Sequence, residues 1–416
     1  MTELKWPHAN PDFYRIISPD NIVRIKATTN LSQDFFIYAE MFRKAAHVLT
    51  EHILRKASIR ELDTYFYSVT YLYRHSLELM LKAIGFKFIT DVDERKRFIK
   101  NTFHNPSKIL ATIKQYLNKE INNNEGLFDW TEKFLSDLSK VDKESDSFRY
   151  PFGIIITREN PFSEKQYSLK LLFEKQTHIN LLALANKMEI AYTVVTSYYN
   201  DSELILEEYN NYTPSFLEEG GSYYAQSVVG YGYNKGKFYP YVSAFKESAD
   251  YLFEFMTDNR QLKEFLFLPM CYLYRNAIEL ALKEILFEEC SFGFLNGLKL
   301  IKDRKHSIQR LWNTILNDVK SHNNASDDDP TIQNVEKYII QLQGLDSTSD
   351  KFRYPTNKLL EPHFKEIKCF DIQNVSTFFG ELASFLNGVC LQMSHHNELM
   401  AELRAEYEAG TRWNYE

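Results

Sequence analysis

A segment of fourteen residues occurs twice in this chain, and it constrains the fold more than any other sequence feature. Residues 71–84 read YLYRHSLELMLKAI, and residues 272–285 read YLYRNAIELALKEI. Three charged residues keep the same spacing in both copies: Arg74, Glu78 and Lys82 in the first, and Arg275, Glu279 and Lys283 in the second. The repetition indicates an internal duplication.

Each copy is predicted to be a buried helix with one polar stripe. Positions i, i+4 and i+8 lie within about 80° of one another around an α-helix, so the three charges share one face. The remaining positions are almost all apolar, which is typical of a helix in the protein interior. Buried charges are costly unless they are paired. We therefore expect Glu78 and Glu279 to be buried and to bond an arginine of their own repeat.

Further motifs recur in the same order, about 200 residues apart. Each repeat has a histidine before an amphipathic helix, His104 or His306, and later the words SDSFRYP at 145–151 or SDKFRYP at 349–355. A period this long indicates two whole domains rather than a solenoid, and similar domains most naturally pair about a pseudo-twofold axis. We expect a mainly α fold of two tandem helical bundles: an N-terminal arm at 1–34, repeat 1 at 35–209, a linker at 210–236 and repeat 2 at 237–416.

The FRYP motif predicts a turn out of the helical layer. Proline disfavours a helical conformation in the tyrosine before it. Residues 151–173 then alternate around a turn signal, which predicts a small β-hairpin, and the counterpart in the second repeat is shorter. The arm contains a short apolar run at 22–25 and is expected to lie against the first repeat.

Composition limits the classes of partner. A net charge of −7 and a pI near 5.9 argue against broad electrostatic capture of nucleic acid, so a nucleic-acid site would have to be a confined groove. The four cysteines lack metal-ligand spacing and predict buried free thiols in a reducing compartment. The N-terminal residues do not have the pattern of a signal peptide, and no apolar run is long enough to span a bilayer. We expect a cytoplasmic protein with no membrane contact, metal or cofactor.

The order of these motifs, YRHxxELxLK, then a histidine before a helix, then FRYP, resembles the HEPN superfamily of small all-α domains found in prokaryotic defence and toxin systems. Many members of that family are metal-independent RNases, and two copies usually form one site across a dimer. Their motif is an arginine, a polar residue and a histidine one turn further along the helix. Arg74-His75 and Arg275-Asn276 match its first two positions, but leucines, Met80 and Ala281 stand where the family has its histidine.

RNA cleavage without a metal requires a base, an acid and a cation for the phosphorane charge. The residues of this chain that suit those roles occur in both repeats. The candidate catalytic residues are Arg74, Arg275, His104 and His306, and the candidate binding residues are Arg149, Arg353, Lys82, Lys283, His75 and Asn276.

A structural explanation of the same residues stays open. Arg149 and Arg353 could pair with Glu78 and Glu279 and so lock the FRYP turn to the central helix. His104 and His306 could cap the helices that follow them. Ion-pair networks of this kind perturb interiors without being active sites.

Two functions follow from the resemblance. The first is an RNA-directed protein, a metal-independent endoribonuclease of an anti-phage defence or toxin system, with a groove between the repeats lined by the paired arginines. The alternative is a non-catalytic protein-interaction or ligand-sensing module on a HEPN-like scaffold. The expected partners are RNA and a protein of the same defence system, and further oligomerisation stays open.

Overall fold

A computed structural model describes residues 6–56, 58–118, 124–158, 164–171, 179–218, 227–228, 236–326 and 328–412. The fold is mainly α, as predicted. We call residues 31–218 the first half and residues 236–412 the second half. The α-helices of the first half are α1 (Leu31–Lys56), α2 (Ile59–Phe88), α3 (Val92–Thr102), α4 (Pro106–Ile113), α5 (Glu125–Val141) and α6 (Leu181–Asn200). Those of the second half are α7 (Tyr239–Asp258), α8 (Lys263–Glu284), α9 (Phe294–Arg304), α10 (Ile308–Asn323), α11 (Pro330–Leu345) and α12 (Ile372–Arg412).

The two repeated segments form the central helices α2 and α8. Ser58 caps the start of α2 by accepting a hydrogen bond from the Glu61 amide, and the helix is buried on every side from Tyr65 to Phe86. In the second half α8 is buried from Leu266 to Glu284 and ends in one π-helical turn, Ile285–Glu289. A helix that is apolar on most of its surface is stable only when neighbouring elements cover it on all sides. In each half the preceding helix, α1 or α7, packs along it.

The same backbone details occur in both halves. Phe103 and Lys305 end α3 and α9 with positive φ angles of 47° and 53°. Ser145 and Ser349, just before each FRYP motif, both have a φ of 64°. Non-glycine residues rarely adopt positive φ, so contacts with the surrounding structure must stabilise the backbone of these turns.

The two halves share a continuous apolar core. α2 packs against α7, and α1 packs against α8. Tyr71 and Tyr272, at the same position of the two repeated segments, stack with ring centroids 5.0 Å apart. A hydrogen bond of 2.6 Å joins the buried hydroxyls of Ser68 and Ser248.

The N-terminal arm lies against the second half, which corrects the expectation that it would lie against the first. Its strand β1 (Ile22–Ile25) pairs antiparallel with a strand that immediately precedes α12, Lys368–Asp371. Phe13 is buried among Phe370, Phe378 and Phe379 at centroid distances of 5.2–6.0 Å. The sequence identifies the apolar run in the arm, but the strand that pairs with it is determined by contacts between residues far apart in the chain.

A hairpin follows FRYP in the first half, as predicted, with β2 (Phe152–Thr157) antiparallel to β3 (Gln166–Leu171). The second half has only a single bridge there, between Thr356 and Pro362. Two further short strands pair antiparallel, β4 (Ile179–Asn180) and β5 (Ser227–Val228), and Lys368–Asp371 is β6.

The predicted linker, 210–236, falls partly outside the described residues. Of its described part, the first nine residues pack on the first half. Phe216 is fully buried, and the Trp130 indole donates a hydrogen bond to the Tyr212 carbonyl. This segment is therefore part of the first half rather than a free tether.

Two further expectations concern membranes and thiols. Within the described ranges, no helix is long and apolar enough to cross a membrane. All four cysteines are free, but only Cys271 is buried, and Cys369 is exposed.

Candidate acid–base site

One carboxylate is the centre of the polar stripe in the first half. Glu78 is fully buried on α2. Its Oε2 accepts a hydrogen bond from Arg74 Nη1, and its Oε1 accepts one of 2.6 Å from Lys82 Nζ. This confirms that the glutamate is buried and bonded to an arginine of its own half.

A histidine and a tyrosine complete this cluster. His104 Nδ1 lies 3.0 Å from Glu78 Oε1, and the Tyr354 hydroxyl donates to the same oxygen at 2.8 Å. The tyrosine oxygen is also 2.9 Å from His104 Nδ1. Arg74 Nη2 donates to the His104 carbonyl, so the arginine holds the main chain that carries the imidazole. We call Glu78, His104, Lys82 and Tyr354 the first cluster.

The second half contains the same arrangement around Glu279. Its Oε1 accepts from Lys283 Nζ at 2.7 Å and from the Tyr150 hydroxyl at 2.9 Å, and it lies 3.0 Å from His306 Nδ1. Arg275 donates to Glu279 Oε2 at 2.9 Å and to the His306 carbonyl at 2.6 Å. We call Glu279, His306, Lys283 and Tyr150 the second cluster.

The tyrosines of the FRYP motifs are exchanged between the halves. Tyr354 belongs to the second half and bonds Glu78, whereas Tyr150 belongs to the first half and bonds Glu279. The proposal that Arg149 and Arg353 pair with the glutamates is therefore wrong, because the neighbouring tyrosines take that place. Each cluster is complete only when both halves are in contact.

The histidines do not cap the following helices, which corrects the second structural expectation. Asn105 caps α4 by accepting from the Lys108 amide at 3.0 Å, and Ser307 caps α10 by accepting from the Arg310 amide at 3.3 Å. Each histidine precedes its helix and is free to turn its ring toward the buried carboxylate.

Charge determines the protonation of the carboxylates. Burial alone would raise the pKa of Glu78, but Lys82, His104 and Arg74 outweigh it and hold that pKa well below 4.5. Burial likewise opposes ionisation of Glu279, and Lys283, His306 and Arg275 hold its pKa well below 4.5. Both glutamates are therefore ionised at neutral pH and act only as acceptors.

The ionised carboxylates determine which nitrogen of each imidazole carries the proton. Burial lowers the pKa of His104 below 6.5, against the opposing effect of Glu78. Glu279 favours the charged form of His306, but burial and the cations Arg149 and Lys283 prevail and lower its pKa as well. A neutral imidazole whose Nδ1 faces a carboxylate must carry its proton on Nδ1. The Nε2 atoms of His104 and His306 therefore each keep a lone pair.

The imidazoles of both clusters are partly exposed to solvent. The His104 and His306 side chains are 32% and 37% exposed, whereas the glutamates beneath them are 0% exposed. In the described part of the chain, neither Nε2 atom makes a hydrogen bond. Each cluster can thus accept a proton at the Nε2 atom of its partly exposed imidazole.

Arg149 and Arg353 lie near the contact between the halves. The Arg149 guanidinium is 5.8 Å from the Tyr71 ring centroid and donates to the Tyr150 hydroxyl at 2.8 Å. The Arg353 guanidinium is 5.7 Å from the Tyr272 centroid and donates to the Ser349 carbonyl at 2.6 Å. Both are nearly inaccessible, so they support the tyrosines instead of facing an open surface.

His75 and Asn276 occupy equivalent buried positions. His75 Nε2 lies 3.1 Å from the Arg353 carbonyl, and burial lowers its pKa well below 6.5. The side-chain oxygen and nitrogen of Asn276 make no hydrogen bond within the described residues. Neither residue belongs to a cluster.

The expected groove lined by arginines is not formed by Arg74 and Arg275, which are fully buried. Arg74 is enclosed by Glu78, the His104 carbonyl and Asp142, whose Oδ2 is 3.1 Å from Nε. Sequence reasoning missed Tyr150, Tyr354 and the aspartates that hold the FRYP turns, although both halves contain them at matching positions. Asp142 and Asp346 each accept two backbone amide hydrogen bonds from the following turn.

In the described ranges, no group of three or more His, Cys, Asp or Glu side chains could hold a metal ion. Comparisons of the chain with protein-family models, with curated proteins and with solved structures gave no match. The chemistry of the clusters is therefore inferred from their own residues.

Proposed function

We propose that the chain is a tandem HEPN-like protein in which two copies of one helical bundle form an intramolecular pseudo-dimer. In the described ranges, six helices of each half in the same order, paired positive φ angles and matching hydrogen bonds around Glu78 and Glu279 support this proposal. The reciprocal exchange of Tyr150 and Tyr354 is what a twofold pairing of like surfaces produces.

We further propose that this protein acts on RNA through general acid–base catalysis by His104 and His306. The observation that carries this proposal is the neutral, partly exposed imidazole fixed at Nδ1 by a buried carboxylate, present once in each half. Nε2 would remove the proton of a ribose 2′-hydroxyl, whose oxygen then attacks the phosphorus. The imidazolium would return that proton to the departing 5′-oxygen, leaving a 2′,3′-cyclic phosphate and a 5′-hydroxyl.

In this proposal Arg74 and Arg275 position the histidines and do not touch the phosphate, because their guanidinium groups are enclosed. Exposed cations occur at equivalent places four residues after the histidines, at Lys108 on α4 and Arg310 on α10. They are exposed cations at matching positions of the two halves, and a cation is required beside the developing phosphorane charge.

A non-catalytic function is the second candidate, and a specific observation favours it. Arg74, Arg275, Glu78 and Glu279 are completely buried, and each glutamate accepts a hydrogen bond from a tyrosine of the other half. A network of this kind is also what a rigid scaffold for a protein partner requires. By the resemblance, either function would belong to a prokaryotic defence or toxin system, with RNA or a protein of that system as partner.

The first test is cleavage of varied RNAs in the presence of EDTA, with detection of cyclic phosphate ends. We expect activity in the wild type and a loss of about 10²–10⁴-fold in the double variant His104→Ala/His306→Ala, the usual contribution of acid–base catalysis. His47→Ala is the matched control, because this α1 histidine is 36% exposed and contacts Glu189 and Glu51 outside both clusters.

Thermal unfolding of the same preparations separates chemistry from folding. A folded double variant with wild-type activity would move the active site elsewhere. A wild type inactive on every RNA, alone and with the products of neighbouring genes, would reject the RNase proposal and leave the scaffold.

A further inference from the structure

Each acid–base cluster contains one residue from the other half. Tyr354 reaches Glu78 and His104 on the first half, and Tyr150 reaches Glu279 and His306 on the second. The tyrosines enclose the clusters further, since Lys82 Nζ is 5.1 Å from the Tyr354 ring centroid and Lys283 Nζ is 4.4 Å from that of Tyr150.

We propose that Tyr150 and Tyr354 are positioning residues that act across the halves, each setting the orientation and basicity of the other half's histidine. The inference deepens the proposed function and rests on it for its catalytic consequence. Its geometric basis is a hydroxyl that donates to the carboxylate oxygen used by the histidine.

The direction of the effect follows from hydrogen-bond chemistry. Glu78 Oε1 is shared by Lys82, His104 and Tyr354, so a hydroxyl proton on that oxygen reduces the negative charge that His104 experiences. Lys82 and Arg353 also act on His104, and their positive charges disfavour the imidazolium. Loss of the Tyr354 hydroxyl should therefore let Glu78 stabilise the imidazolium more strongly and raise the pKa of His104.

The second cluster should respond in the same way to Tyr150. His306 faces Glu279, Lys283, Arg149 and the Tyr150 hydroxyl. Arg149 also donates to that hydroxyl, which makes it a stronger donor to Glu279.

The experiment is an NMR titration of the His104 and His306 ring protons in the full-length chain. Tyr354→Phe should raise the titration midpoint of His104 and leave that of His306 unchanged, and Tyr150→Phe should do the reverse. Tyr274→Phe is the matched control, because Tyr274 is buried on α8 and donates to Asp250 at 2.6 Å outside both clusters. It should shift neither midpoint.

A second substitution covers the case in which a phenylalanine variant fails to fold. 3-Fluorotyrosine at position 354 keeps the hydroxyl and makes it a stronger donor, so the His104 midpoint should move down. Midpoints that do not move in either variant, or a Tyr354 substitution that moves His306 alone, would overturn the inference.

Activity assays distinguish this inference from the proposed function. With His306→Ala in place, Tyr354→Phe should lower the remaining RNA cleavage, and with His104→Ala in place, Tyr150→Phe should do so. If the wild type cleaves no RNA but the midpoints shift as described, the RNase proposal fails and the cross-half positioning stands. Cleavage with unmoved midpoints rejects the positioning role alone.

Discussion

At the residue scale, both halves stabilise a buried carboxylate with the same four types of side chain. Glu78 and Glu279 each accept from an arginine, a lysine and a tyrosine and contact a histidine. Removing one partner of a buried ion pair typically costs about 3–5 kcal/mol, because the remaining charge is left uncompensated. The arginine, glutamate and lysine should therefore stabilise the fold whether or not the histidines catalyse a reaction.

The buried histidines predict a pH dependence of stability. His75, His104 and His306 have folded pKa values below the ordinary 6.5, so the unfolded chain binds more protons between the two values. The free energy of unfolding should fall as pH decreases below about 6.5. Glu78 and Glu279, whose pKa values are held low, add stability above pH 4.5 that is lost as pH falls through their folded values.

Urea unfolding of the wild type and of His75→Asn between pH 8 and pH 5 measures the first of these effects. The variant places asparagine where the second half has Asn276, and its free energy of unfolding should change less with pH. Comparison at pH 8, where histidine is neutral in both states, isolates any packing difference. Equal slopes for both proteins would contradict the assignment of a low pKa to His75.

At the element scale, the arm is an integral part of the second half. Strand β1 pairs with β6, and the Ile17 and Ser18 amides donate to the Asp371 carboxylate at 2.8 Å. The Phe13 side chain is only 2% exposed. The arm thus fills the side of α12 that would otherwise expose aromatic rings.

Phe13→Ala should destabilise the protein by about 3–5 kcal/mol, the usual cost of deleting a buried phenylalanine. Chemical denaturation measures the change. Ile17→Ala is the control, because that side chain is 56% exposed and should change stability by no more than about 0.5 kcal/mol. Equal effects of the two substitutions would show that the arm is not docked in solution.

At the scale of the whole molecule, the halves are joined through their interiors. Tyr67 and Tyr241 stack at 3.9 Å, Tyr71 and Tyr272 stack at 5.0 Å, and each FRYP tyrosine completes the opposite cluster. Separating the halves would leave two buried carboxylates without one of their donors, so neither half should persist alone.

Differential scanning calorimetry should therefore record one cooperative transition, with calorimetric and van't Hoff enthalpies that agree. The double variant Tyr150→Phe/Tyr354→Phe removes the hydroxyls that bond across the two halves, so it should lower the midpoint temperature of unfolding. Its helical content at ~20 °C, near the typical temperature of maximum stability, should not change. Two resolved transitions in the wild type would show that the halves unfold independently.

The sequence by itself determined the local features, because those depend on neighbours along the chain. Periodicity identified the buried helices around Arg74 and Arg275, and the spacing of Glu78 from Arg74 placed both groups on one face. FRYP predicted the turn, and the alternating residues of 151–173 predicted the first hairpin. The recurring sequence motifs also identified His104 and His306 as residues at equivalent positions of the two repeats.

Only the tertiary structure decided which residues complete each cluster. The spacing between Glu78 and Tyr354 is 276 residues, and no periodic pattern reports a contact between halves at that distance. The same holds for the arm, whose strand pairs with residues more than 340 positions away. Exposure was also decided by packing. Both the arginines and the histidines suit RNA chemistry, but the fold buries the arginines and leaves the side chains of His104 and His306 partly exposed.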